Sequence, residues 1–296
     1  MIPDGFTVVA GSLGDQGGAV ARTLKRHGRA VRALTQNRWS PAARSLVEAG
    51  VDVQNDNLLS PDVVARDLAG AAFVFGAFTP FDEGGLQTEL QQVRNLAWAS
   101  VRAGVQHFVY SAVGDPEQDK EVEADGIWGV ERLLQQFELK LTLLRPAFFM
   151  ENIDEFALRR EDDGGLVLRM PLPERTEVYW IGVEDVGTLA RLAYDRPRAF
   201  GPGPVQLGAD KLSFAEACAM MSEVLGEHVR YEQIALGEVK DRHARGMYRW
   251  FQSYAHYEPD VAKLRRIHPG LMTFRQWLQS GRLDLGKVEY GSSAAA

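Results

Sequence analysis

Phe6-Thr7-Val8-Val9-Ala10-Gly11-Ser12-Leu13-Gly14-Asp15-Gln16-Gly17-Gly18 is the stretch on which the fold turns. Residues 6–10 have the β-branched and aromatic character of a buried strand, and Val20, Ala21 and Leu24 recur behind them at helical spacing. Between strand and helix, Gly11, Gly14 and Gly17 form the pattern G-x-x-G-x-x-G. A tight turn needs torsions open to glycine, a pyrophosphate comes close only where no Cβ intervenes, and the third glycine lets helix and strand pack closely. The unpaired N–H groups of the helix then face the anion. Gly11, Ser12, Leu13, Gly14, Asp15, Gln16 and Gly17 are therefore candidate dinucleotide contacts, against the plainer reading of a glycine-rich connection. Asp15 sits awkwardly in that list, because a carboxylate about 4 Å from a phosphate costs on the order of 1 kcal/mol even in water. Its other reading is a first-turn acid that favours the helix N-terminus with its side chain in solvent.

Moving outward, residues 30–35 read as a second strand, at the spacing of a right-handed βαβ unit. An acid at its end would favour the ribose hydroxyls of NAD, but the chain has Thr35-Gln36-Asn37-Arg38. Thr35, Asn37 and Arg38 are candidate contacts, and Arg38 tilts the choice toward the 2′-phosphate of NADP(H) over NAD(H), unless it is simply a solvated arginine. Residues 41–50 look helical and 51–56 form a short third strand, placing Asp56 and Asn57 beside the adenine. The apolar run 71–76 suits a strand covered on both faces. It opens into Ala77, Phe78, Thr79 and Phe81, near the middle of a cofactor, where Phe78 and Phe81 serve either as loop packing or as a stacking wall. A long helix over 86–103 stops at Gly104, and 107–112 form a fifth strand with Ser111, a further candidate cofactor contact, near its carboxyl end. His107 and Tyr110 read as core. Residues 141–146 form a sixth strand ended by Pro146, which has no N–H. This alternation predicts an α/β protein with a Rossmann-like doubly wound parallel sheet.

Of 296 residues, 45% are hydrophobic and 25% charged, the proportions of an ordinary globular protein. No stretch approaches the roughly 20 apolar residues that span a bilayer. No secretory leader is apparent, and the single cysteine, Cys218, can form neither an internal disulfide nor a cysteine metal cluster, so the expected address is the cytoplasm. A net charge of −7 with scattered Lys and Arg disfavours direct nucleic-acid binding. The basic patch at Lys263, Arg265 and Arg266 reads as a solvated helix face. Neither G-x-S-x-G nor H-E-x-x-H occurs, so a serine hydrolase and a paired-histidine metal site are unsupported.

Five segments carry a family resemblance: residues 8–18, Val31-Arg32-Ala33-Leu34-Thr35, Phe108-Val109-Tyr110-Ser111, Leu144-Arg145-Pro146-Ala147-Phe148-Phe149-Met150-Glu151-Asn152, and His268-Pro269-Gly270-Leu271-Met272-Thr273-Phe274. The chain resembles the NmrA-like family, atypical members of the short-chain dehydrogenase/reductase superfamily. The resemblance implies a dinucleotide-binding lobe with a smaller α+β C-terminal lobe, here residues 1–152 completed by parts of 176–210, and residues 153–290, with 291–296 a flexible tail. It also implies that Pro146 and Phe148 touch the cofactor and that Phe149 and Asn152 join Phe81 in a substrate pocket. The competing reading makes Phe148, Phe149 and Met150 core. The superfamily's usual proton donor, a Tyr with a Lys four residues on, falls by resemblance on Glu123 and Ile127, which can play neither part, and Lys120 is only a speculative substitute. No catalytic residue is therefore assigned.

The second half holds a linker at residues 201–204, a capping box at Ser213-Phe214-Ala215-Glu216, and an aromatic-rich C-terminal region that suits a small lobe's core. Some members of the family are redox sensors and others reduce quinones or related carbonyls. Without the Tyr-Lys pair, the expectation is a dinucleotide-responsive regulator or sensor acting through a protein partner. The alternative is an NADPH-dependent reductase of quinones or conjugated carbonyls that takes a small flat apolar substrate, and a third reading is a binding module with no cofactor.

Overall fold

The computed structural model describes residues 5–78, 85–112, 129–162, 164–240, 245–246, 248–249, 251–252 and 258–288. The first six strands are β1 (Phe6–Ala10), β2 (Val31–Thr35), β3 (Asp52–Asn55), β4 (Ala71–Gly76), β5 (His107–Ser111) and β6 (Leu141–Pro146). Between them run helices α1 (Asp15–Arg26), α2 (Pro41–Glu48), α3 (Pro61–Asp67), α4 (Gly85–Ala103) and α5 (Gly129–Leu134). The strands pair in parallel in the order β6-β5-β4-β1-β2-β3, with a short strand, residues Val205–Leu207, beyond β6. Strand order reverses between β1 and β4, which opens a crevice at their carboxyl ends. Every residue of β4 and β5 is buried, as helices on both faces require. Val8, Leu34, Val74, Leu96, Phe108 and Tyr110 belong to one core cluster.

Contacts divide the chain into two units, one of Met1–Arg145 with Val183–Val205 and one of Pro146–Gly182 with Gln206–Ala296. In the first unit, α1 packs on α6 (Val183–Asp195), and Glu184 accepts from Arg22 at 3.0 Å and from Arg26 at 2.5 Å. Helix α1 starts at Asp15, before the first residue of its apolar pattern. The sequence signal is late there because Gly17 and Gly18, in its first turn, have no side chains to carry periodicity. His107 is buried with Nε2 2.8 Å from Thr142 Oγ1, and burial pushes its pKa down to about 4, so the ring is neutral and structural.

The second unit holds two three-stranded sheets. Glu177–Ile181 pairs antiparallel with Asp210–Ser213 and parallel with Phe148–Phe149, while Leu166–Met170 pairs antiparallel with Leu158–Arg160 and parallel with Val229–Gln233. Its core is aromatic, with Trp180 5.1 Å from Phe274 and 5.6 Å from Phe214 between ring centroids. The Ser213 capping box forms, and Thr273 with Gln276 makes another. Cys218 is buried in the helix Phe214–Leu225. Among the described residues, no helix is long and apolar enough to cross a membrane.

One buried ion pair ties the first unit's sheet to its helix layer. Arg145 on β6 forks onto Glu131 on α5, Nε to Oε1 at 2.8 Å and Nη2 to Oε2 at 2.7 Å, with both side chains under a tenth exposed. Removing one partner strands a buried charge, whereas replacing both with apolar groups removes the charge altogether. Arg145→Met should therefore destabilise the protein by about 3–5 kcal/mol, and Arg145→Met combined with Glu131→Leu by markedly less. Denaturant unfolding of the two variants checks this, and equal losses would contradict it.

Candidate functional site

The crevice at the carboxyl ends of β1 and β4 is lined by backbone. Gly11 has φ +74°, and a Cβ there would overlap the carbonyl oxygen of Ala77, just beyond β4. A Cβ on Gly17 would overlap the carbonyl oxygen of Gly11. Side chains are thus excluded at two points of the turn by backbone on the other side, which presses the turn, α1 and the end of β4 together. Gly14, the exposed N-cap of α1, meets nothing closer than 3.6 Å at its Cβ position, and no side chain caps the helix. The first-turn amides therefore point outward at the positive end of the helix dipole. Asp15 lies in that first turn with its side chain exposed, matching the solvated-acid reading.

The flanking groups hold the turn in place. Ser12 is buried and its hydroxyl donates to the Leu34 carbonyl at 2.9 Å, so it locks the turn to β2 instead of presenting a side chain outward. Gln16 Oε1 accepts from the Ser111 hydroxyl at 2.5 Å, which joins α1 to the end of β5. Leu13 is half-buried. At the end of β2, Thr35 Oγ1 accepts from the Asn37 amide at 3.0 Å and Asn37 Oδ1 accepts from the Trp39 amide at 3.1 Å. Arg38 is exposed, its guanidinium 5.0 Å above the Trp39 ring.

Asp56 follows β3, with its amide donating to the Thr35 carbonyl at 2.8 Å. Only 4% of the residue is exposed, and neither carboxylate oxygen has a hydrogen bond of ordinary geometry. Burial, reinforced by the nearby Asp67 carboxylate, pushes its pKa up to about 6, and the Asn57 amide offsets part of that rise. A buried acceptor left unpaired costs free energy unless a donor arrives, which marks Asp56 as a place for a ligand N–H or O–H. Asn57 is exposed, its Oδ1 accepting from the Leu59 amide at 3.1 Å.

Beyond β4, Ala77 and Phe78 are half-buried, and the Phe78 ring lies 6.3 Å from that of Tyr110. Phe78 packs against the core cluster, the loop-packing reading of its two. Tyr110 is core: it is 1% exposed, its hydroxyl donates to Glu89 Oε1 at 3.3 Å, and burial followed by the Glu89 charge raises its pKa well above the phenol range. Thr79, Phe81, Lys120, Glu123 and Ile127 lie outside the described residues.

The remaining sequence candidates fall in the second unit. Phe148 is 4% exposed, 4.9 Å from Trp180 and 5.9 Å from Phe214 between centroids. Its ring is spent on the aromatic core, which replaces the cofactor-facing expectation for that side chain. Met150 is likewise fully buried, while Pro146, Phe149 and Asn152 are half-buried. In the motif around them, the conspicuous charged residues are structural: Arg145 holds Glu131, and Glu151 Oε1 accepts from Trp277 Nε1 at 3.1 Å. Sequence reasoning missed the Arg145 fork because its partner lies 14 residues away on an unrelated helix. Among the described residues no cluster of three or more His, Cys, Asp or Glu is placed to hold a metal ion.

A dinucleotide fits these residues: a Cβ-free turn and uncapped helix amides suit a pyrophosphate, and the unpaired Asp56 oxygens suit an amino group of the base. The Asp56 carboxyl is held protonated more tightly in the folded than in the unfolded chain, so it favours folding below about pH 4 and costs stability as pH rises through 6. Asp56→Asn should therefore raise the thermal midpoint at pH 7 by a few degrees, roughly 1 kcal/mol, with the gain fading toward pH 4. Melting curves across that range check it, and a gain independent of pH would contradict it.

The NmrA-like family model matches residues 4–278. The chain is 30% identical over 235 residues to the NAD(P)H azoreductase of Xenophilus azovorans, covering 79% of this chain and 78% of that protein. Its fold is shared by NmrA, a negative transcriptional regulator solved in complex with NADP (TM-score 0.77, 19% identity, 94% of this chain and 95% of that one). It is shared too by the NADPH-dependent quinone oxidoreductase QOR2 of Escherichia coli, complexed with NADPH (TM-score 0.73, 18% identity, 94% and 100%). With a family match running from the first strand to the last helix, over a Rossmann-like sheet whose crevice is walled by glycines, this chain belongs to the NmrA-like family.

Proposed function

We propose that the protein is an NAD(P)H-dependent reductase of electron-poor conjugated acceptors, quinones or azo compounds. The observation that carries this reading is the 30% identity to an NAD(P)H azoreductase, sustained over most of both chains. Chemistry supports it without the Tyr-Lys pair. A bound reduced nicotinamide supplies a hydride. An acceptor whose added electrons spread over a quinone or an arylazo system becomes a delocalised anion that can take its proton from water. A saturated ketone gives a localised alkoxide instead and needs a positioned acid in the transition state. Glu123 and Ile127 at the donor positions are compatible with the first class of acceptor and not with the second.

In this reading the turn Gly11–Gly17 and the first amides of α1 hold the pyrophosphate, Asp56 accepts from the adenine amino group, and Arg38 faces the 2′-phosphate and favours NADP(H). Asn37 and Asn57 border the adenosine, while Ala77 and Phe78 run alongside the middle of the dinucleotide. The Ser111 to Gln16 hydrogen bond keeps the β5 end of the crevice in register with α1. The unit containing Met1–Arg145 carries the cofactor, and Phe149 and Asn152 are the residues assigned to the substrate.

A second reading, a dinucleotide-responsive regulator, is favoured by the NADP-bound regulator that shares the fold. The purified protein, given NADPH with a panel of quinones, azo dyes and saturated ketones, should oxidise NADPH with the first two classes and not with ketones. Saturable dinucleotide binding with no oxidation on any acceptor would overturn the reductase and leave the regulator.

A further inference from the structure

Trp39 is 73% exposed, the most exposed of the large hydrophobic side chains among the described residues. Leaving so large an apolar side chain in water forfeits the stabilisation of burying it, yet the surrounding loop is built to hold it there. The Trp39 amide donates to Asn37 Oδ1 at 3.1 Å, the Ser40 amide donates to the Asn37 carbonyl at 3.2 Å, and Ser40 caps α2 through the Ala43 amide at 3.1 Å.

Trp39 engages two arginines by different means. The Arg38 guanidinium stacks over its ring at 5.0 Å, and Arg44 Nε donates to its carbonyl at 3.2 Å. Neither arginine pairs with a carboxylate among the described residues, although the chain carries 40 acids against 33 bases and Arg22, Arg26, Arg32, Arg145, Arg169 and Arg275 all find one. Two guanidinium groups gathered on one aromatic residue and left without a counter-charge make an anion site. A guanidinium is suited to it, since it stacks on an aromatic face while its N–H groups stay free for phosphate. The loop lies at the carboxyl end of β2, the same end at which Ser12 is bonded to Leu34 and Asp56 to Thr35.

We propose that Trp39 is a positioning residue for cofactor choice, its ring and carbonyl setting Arg38 and Arg44 as a two-arginine clasp for the 2′-phosphate of NADP(H). This inference rests on the dinucleotide reading above. Arg44 was not among the sequence candidates, because helical spacing marks it only as a solvated residue of α2.

Calorimetric titration of the wild type, Trp39→Phe, Trp39→Leu and Arg44→Gln with NADPH, NADH and adenosine 2′,5′-bisphosphate tests the proposal without turnover. Trp39→Leu and Arg44→Gln should each weaken NADPH and the bisphosphate by about tenfold while leaving NADH within about twofold, and Trp39→Phe should keep most of the preference. Indole fluorescence should also be quenched by the bisphosphate in the wild type and less so in Trp39→Leu. Equal losses for NADPH and NADH, or an unchanged ratio between them, would overturn the clasp while leaving the dinucleotide site standing. A wild type that binds neither dinucleotide would overturn both.

Discussion

Backbone meeting backbone at the first glycine turn is the constraint from which the rest of the first unit follows. Ala77's carbonyl fills the space a Gly11 side chain would need, and Gly11's carbonyl fills the space a Gly17 side chain would need. This double exclusion joins the ends of β1 and β4 to the start of α1 at the point where strand order reverses. The helix amides are then left facing a crevice with no side chain to cap them. Ser12 and Gln16 extend the same joint sideways, to Leu34 on β2 and Ser111 on β5. A row of uncapped helix amides is thus a consequence of how the sheet and its first helix close on each other.

Charge is distributed consistently with that picture. The chain is acidic overall, and several arginines of the scaffold are tied to carboxylates, as in the Glu184 bridge between α6 and α1 and the buried Arg145 fork onto Glu131. Three ionisable groups stand together at one end of the sheet: Asp56, buried with both oxygens unpaired, and Arg38 and Arg44, both on Trp39. On the proposed reading, these groups are the ones open to a ligand that brings a donor and an anion.

Much of this was legible in the sequence, and the boundary follows the range of the signals. Strands such as Ala71–Gly76 and His107–Ser111 announced themselves because burial on both faces requires continuous apolar runs. The turn was legible because excluding a Cβ demands glycine at fixed spacing. Asp56 and Arg38 could be named from the ends of their strands, but the orphaned state of the one and the aromatic platform of the other depend on the folded environment. Phe148 shows the limit most clearly: an aromatic after the last parallel strand suits a cofactor wall or a core equally in sequence, and Trp180 and Phe214, which take up its ring, lie 32 and 66 residues further along. Arg145 has the same lesson, a motif residue whose partner only the fold identifies.

Gly14 offers the most direct test of the central claim. Its φ of −75° suits any residue and a methyl group there would meet only the Gly11 oxygen at 3.6 Å, an ordinary contact, so Gly14→Ala should leave the fold and its melting temperature nearly unchanged. The methyl would nevertheless stand at the N-cap of α1, in the approach to the bare amides. Calorimetric titration of Gly14→Ala with NADPH should show affinity at least tenfold weaker than wild type in a fully folded protein. Wild-type affinity in that variant would show that the dinucleotide does not rest on this turn and would contradict the account.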